Sequence, residues 1–154
     1  MLKLGNKVRL KTAKHSLRTS TFSDKRVDVD TDQILTVTEV TEACGVLRYA
    51  CDPQKTGIHW FLEDEFELVE ASTIETKFHL NDAVIVRITN AARVRNRARR
   101  KDVVSVGSQV PATIISVSLK GRDNERIDYL VRIDSDTLAF ITESDIELKD
   151  YTLF

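Results

Sequence analysis

Cysteine, proline, glycine and aromatic residues are all scarce in this chain. Two cysteines, Cys44 and Cys51, in 154 residues are too few for the disulfide framework that staples small secreted domains. Two prolines and five glycines exclude a collagen-like or linker-dominated chain. Aromatic residues make up 6%, which leaves few rings for stacking single-stranded bases. No run approaches the roughly 18 apolar residues of a membrane span. The start, Met1-Leu2-Lys3-Leu4-Gly5-Asn6-Lys7, has no apolar stretch of signal-peptide length. The expectation is a cytoplasmic protein with no membrane partner.

The motifs of common chemistry are missing as well. There is no P-loop, GxGxxG, HExxH or GxSxG. The histidines His15, His59 and His79 read as ordinary packed or surface residues. Cys44, Cys51 and His59 could be drawn as part of a zinc site. Six residues separate the cysteines, whereas zinc sites use two to four, and no fourth ligand is evident. The acidic run Glu63-Asp64-Glu65 reads as a solvated turn, since carboxylates need burial to become catalytic acids. The chain is therefore expected to be non-enzymatic, with no cofactor and no metal.

What the chain does contain is short β-rich runs. Lys7–Lys11, Ile34–Val40, Val46–Cys51 and Ile58–Phe61 alternate apolar and polar residues, as a strand with one buried face does. Ala43-Cys44-Gly45 and Asp52–Gly57 supply the turns between them. The second half repeats the first at a period of about 76 to 80 residues. Leu2–Lys11 matches Phe78–Arg87, each with a polar turn (Gly5-Asn6, Asn81-Asp82) before an alternating strand. Ile34–Val40 matches Pro111–Val117, and Trp60–Val69 matches Phe140–Lys149. Three matches in the same order point to a tandem repeat.

Each half reads as a strand, a loop of about twenty residues, a three-strand meander, an acidic turn and a closing strand. Five short strands allow a sheet to close and hide its edges. Trp60, Phe61, Phe66 and Leu68 are expected to fill the first core, and Phe140, Ile141, Ile146 and Leu148 the second. The division is expected as residues 1–70, a linker at 71–76, and 77–154. The closing segments Phe61–Leu68 and Ile141–Leu148, with the polar turn, long first loop and meander before them, resemble SH3-like barrels of the Tudor and KOW type. The tandem arrangement in so small a chain is similar to that of phage early proteins that coat DNA, of the MotB kind from T-even phages. The resemblance implies an all-β fold of two tandem SH3-like barrels. It also implies DNA binding in a phage host-takeover role, in the host cytoplasm or nucleoid. In Tudor-type barrels an aromatic cage binds methylated side chains; here only Tyr49 with Trp60, or Tyr129 with Phe140, stand near the required places.

The net charge of -1 hides a segregation of charge. Arg87, Arg93, Arg95, Arg97, Arg99, Arg100 and Lys101 give +7 between residues 87 and 101, with no Asp or Glu. Residues 1–30 hold eight basic residues against three acidic ones. The acids crowd elsewhere, at Glu63, Asp64, Glu65, Glu67 and Glu70. Residues 123–154 hold nine acids against Arg126, Arg132 and Lys149. Arginine forks suit phosphate oxygens. Three alanines, with Asn90 placed as an N-cap, allow a short helix in the second basic loop. That helix would align Arg93, Arg97 and Arg100, whose like charges destabilise it until an anion binds.

The expected contacts are Lys11, Lys14, Arg18, Lys25 and Arg26 in the first half. In the second they are Arg87, Arg93, Arg95, Arg97, Arg99, Arg100 and Lys101. The expected ligand is double-stranded DNA, held through phosphates with little sequence preference. RNA or the ribosome, or an acidic host protein met by an interaction module that inhibits or adapts a host enzyme, are the other partners that this charge pattern allows.

Overall fold

The computed structural model describes residues 1–20, 23–52, 60–90, 93–96, 106–121 and 123–149. The chain is mostly strand: β1 (Lys7–Leu10), β2 (Lys14–Ser20), β3 (Ser23–Val29), β4 (Leu35–Ala43), β5 (Val46–Asp52), β6 (Phe66–Glu70), β7 (Ala83–Arg87), β8 (Val94–Asn96), β9 (Gln109–Lys120), β10 (Arg126–Asp134), β11 (Thr137–Thr142) and β12 (Ile146–Leu148). The pairings of β1 with β4 and β6, of β7 with β9 and β12, and of β11 with β8 and β10 are antiparallel. Single 3-10 turns at Glu63–Glu65 and Glu143–Asp145 lead into β6 and β12. Among the described residues no helix is long and apolar enough to cross a membrane.

Two compact units emerge. The first comprises Met1–Glu75 together with Ser118–Asn124, and the second Thr76–Val117 with Glu125–Phe154. The end of β9 and the turn after it group with the first unit.

In the first unit, β1 lies between β6 and β4, and β5 folds back on β4. The turn joining β4 to β5 has Cys44 at φ 53 and Gly45 at φ 77. Two successive positive φ values define the type I′ turn, whose twist matches that of the strands it joins. Val8, Leu10, Leu35, Val37, Tyr49 and Phe61 are each no more than 1% exposed and form the core. Phe66 stacks on this core, tilted against Phe61 at 5.2 Å. The segment Lys14–Val29, expected as a loop, is a hairpin of β2 and β3 that forms its own two-stranded sheet. Its physical cause is the alternation in Val27-Asp28-Val29, with Val29 fully buried and Leu17 7% exposed.

The second unit runs β12-β7-β9-β10-β11-β8. Phe78, Val84, Val86, Ile88, Ile114, Tyr129 and Val131 fill its core. Interactions of the first unit recur in it. Gly5 N–H donates to Val37 O at 2.8 Å, and Asn81 N–H to Ile114 O at 2.8 Å. Val37 N–H donates to Asn6 O, and Ile114 N–H to Asp82 O. The Tyr49 hydroxyl accepts from Leu2 N–H at 3.3 Å, and the Tyr129 hydroxyl from Phe78 N–H at 3.4 Å. Tyr49 bridges Phe61, as Tyr129 pairs with Ile141.

The polar turn shows why these residues stand where they do. Gly5 has φ +82 and Asn81 φ 70, a region that glycine and asparagine tolerate best. A Cβ on Gly5 would stand 2.5 Å from Ser72 Oγ and 2.7 Å from Ile74 Cδ1.

Several sequence expectations are corrected. Among the described residues no sheet closes into a barrel. β8 and β12 are three residues each, and β8 takes the free edge of β11. Leu68 and Leu148 are 51% and 60% exposed, and Trp60 and Phe140 are half-buried. None of the four is a core residue. β6 and β12 are edge strands, so only their first residues, Phe66 and Ile146, reach the interior. The short helix expected in the second basic loop gives way at residues 94–96 to strand β8. Val94 and Arg95 are recruited as strand partners by Ala139 and Leu138, and that tertiary pairing overrides the helical preference of the alanines.

Candidate nucleic-acid interface

The basic residues divide by what holds them. In the first unit, Lys11 is exposed just after β1. Lys14 is paired with Glu65 at 3.0 Å, so part of its charge is neutralised within the unit. Arg18 and Arg26 stand opposite each other in the β2–β3 register. Arg26 is exposed, and its guanidinium donates to Ser16 O at 2.8 Å. Ser16 is itself turned to φ 57, with its N–H on the Asp28 carboxylate at 2.9 Å. Lys25 precedes Arg26 on β3.

In the second unit, Arg87 is exposed at the end of β7, opposite Gln109 in the register. Arg93 has a partner: its guanidinium meets the Asp128 carboxylate at 2.7 Å. Asp128 is 2% exposed and also receives Arg126 Nε at 3.2 Å. A carboxylate this deep requires charged donors to offset its lost hydration, so Arg93 is an internal partner before it is a ligand contact. Arg95, on β8, is exposed, and its guanidinium lies 5.3 Å from the centre of the Phe140 ring. Arg97, Arg99, Arg100 and Lys101 lie outside the described residues.

The structure brings to one place residues that the sequence reading had not joined. Arg95 pairs with Leu138, and Leu138 pairs with Arg132 on β10. Directly paired residues of neighbouring strands share a face. Alternation along β10 puts Arg126, Asp128, Leu130 and Arg132 on that face. Arg126 has 54% of its side chain exposed, and Arg132 is exposed. Between Arg126 and Arg132 the face carries a single carboxylate, Asp128. Arg126, Arg132 and Asp128 were missed because they lie in a chain segment that is acidic overall. The available signal was the polar-apolar alternation of Arg126-Ile127-Asp128-Tyr129-Leu130-Val131-Arg132.

The remaining candidate chemistry does not assemble. Tyr49 and Tyr129 are fully buried, so neither offers a ring to an aromatic cage. Burial raises the Tyr129 hydroxyl pKa above its ordinary value, and the adjoining Glu143 carboxylate, which accepts its proton at 3.0 Å, raises it further. Burial, with Asp52 nearby, pushes the Cys51 thiol up to about 12. Cys44 is exposed at its turn, and His59, the third residue of the zinc reading, lies outside the described residues. Among the described residues no group of three His, Cys, Asp or Glu side chains is placed to hold a metal ion.

Comparison with known proteins leaves the class at a mostly antiparallel β protein of two units: no family model matches the chain, and neither a curated protein nor a solved structure matches it.

Proposed function

We propose that this is a non-enzymatic protein that binds double-stranded DNA through phosphates, with little sequence preference, on two SH3-like units. The observation that carries the reading is the one-signed stretch from Arg87 to Lys101, seven positive charges with no acid among them. Its two exposed described members, Arg87 and Arg95, support it. The first-unit hairpin, with Arg18 opposite Arg26, adds a second basic element.

Phosphate contact is preferred to base reading, which needs donors held rigidly at base edges. If five to seven phosphates are neutralised, log affinity falls against log salt with a slope of roughly -5 to -6. Fluorescence anisotropy with a random 30-base-pair DNA duplex, its RNA counterpart and the single strands, across several salt concentrations, tests this. Preference for duplex DNA with that slope supports the reading. Preference for the RNA duplex moves it to A-form recognition. Flat traces at about 100 mM salt for every nucleic acid refute it.

A protein-interaction role is the second reading. Exposed Leu62, Leu68 and Val69 in the acidic closing segment of the first unit favour it. It predicts no nucleic-acid binding and a stable complex with a protein partner.

A further inference from the structure

The face of β10, β11 and β8 bears Arg95, Arg126 and Arg132. We infer that this face is a seat for a polynucleotide strand, with Arg95, Arg126 and Arg132 on its phosphates and Asp128 as the residue that holds the seat in shape. The inference deepens the proposed nucleic-acid reading and rests on it. It moves the contact from a loop to a sheet, and adds two arginines from a segment that is acidic overall.

Charge complementarity identifies the occupant. Arg95 and Arg132 flank Leu138 from opposite sides. At about 4.8 Å between strands, their backbones stand roughly 10 Å apart. Arg126 lies six residues from Arg132 along β10, or about 20 Å at 3.3 Å per residue. A DNA strand carries one charge per about 3.4 Å of axis, so such a frame spans several phosphates of one strand.

The Phe140 ring under the Arg95 guanidinium fixes the planar fork of Arg95, which lowers the entropy lost when it meets a phosphate. The Asp128 carboxylate does the same for Arg126 and draws in Arg93. Two cations on one acid leave a surplus of positive charge, and among the described residues Arg132 has no ion-pair partner. In the first unit, Arg48 occupies the place of Asp128, one residue before the matching tyrosine. Its strand partner is Thr41, and Glu39 lies on the same face.

The test uses the full chain in three variants read by anisotropy on the same duplex. Arg126→Ala with Arg132→Ala removes two contacts. Arg132→Ala alone removes one without touching Asp128. Lys3→Ala with Lys149→Ala removes two charges elsewhere. Thermal unfolding of each reports whether the fold survives. The expected result is a loss of roughly eightfold per arginine at 0.1 M salt, with the salt slope shallower by about one unit for each. The lysine variant should lose less than twofold. Equal losses in the two double variants would show that only overall charge counts, and would overturn the inference. Unchanged binding in Arg132→Ala would overturn it too, even if the double variant unfolds. Absence of binding by the unaltered protein is a different result, because it removes the underlying nucleic-acid reading.

Discussion

The two units share the hydrogen bonds of their polar turns and core tyrosines and differ in what they do with their basic stretch. In the first, the stretch is β2–β3, a hairpin paired with itself. In the second, part of it becomes β8 and adds to β11. The position before the core tyrosine differs in parallel. Arg48 stands there in the first unit, with Nε buried and without a hydrogen-bond partner among the described residues, and Asp128 stands there in the second, holding Arg93 and Arg126. One exchange of charge sign at one ladder position accompanies the change from a hairpin with its own two-stranded sheet to a strand added to the larger sheet. The lesson is that a buried carboxylate in a basic region organises the arginines around it.

The largest expected effect tests whether the units share a skeleton of equal strength. Phe61→Ala and Ile141→Ala truncate matching core positions, and each is expected to cost about 2–5 kcal/mol in denaturant titration, with the phenylalanine change the larger. A cost below 1 kcal/mol at either would break the equivalence.

Gly5→Ala comes next. Positive φ and the approach of Ser72 and Ile74 combine to a loss of about 1–3 kcal/mol. Asn81→Gly at the matching turn should be close to neutral.

Asp128→Asn sharpens the comparison most. Overall charge becomes more positive, so electrostatics alone predicts tighter nucleic-acid binding. The anchoring role predicts binding weakened at least twofold and stability lowered by about 1–3 kcal/mol. Anisotropy and thermal unfolding on one sample decide between them.

A smaller effect separates the tyrosines. Tyr49→Phe and Tyr129→Phe each orphan a buried main-chain N–H, at about 1 kcal/mol. Tyr129 should cost more, because its hydroxyl also donates to Glu143.

The smallest effect concerns pH. The Cys51 thiol rises from 9.0 to about 12 on burial, so the folded chain holds that proton more tightly than the unfolded one. The associated stability is complete below about pH 9 and is lost as pH rises toward 12. At pH 8 a maleimide should label Cys44 and spare Cys51 in mass spectra. Equal labelling of both would show that the first core is open.

Much of the fold was legible because alternation and turn chemistry are local. The Gly5-Asn6 and Asn81-Asp82 turns, the type I′ turn at Cys44-Gly45 and the strands β1, β4, β5 and β7 all announce themselves over fewer than ten residues. The site was less legible. Arg93, counted among the free cations, owes its state to Asp128, 35 residues away. The fate of Val94-Arg95-Asn96 was set by the edge of β11, not by its own helix-favouring composition. Leu68 and Leu148 carry apolar side chains into edge strands, where pattern alone cannot tell a core position from an exposed one. Charge summed along the chain concealed Arg126 and Arg132, because a strand presents every second residue to one face.

The placement of Ser118–Asn124 with the first unit has a consequence for how the chain is made. Residues 1–75 leave the ribosome with their unit still lacking one piece of backbone, which arrives only after about forty further residues of the second unit have been synthesised. Contacts that distant in sequence form slowly, since the loop between them must close first. Genetic separation at 75/76 would yield a first fragment that stays incomplete until residues 118–124 are supplied.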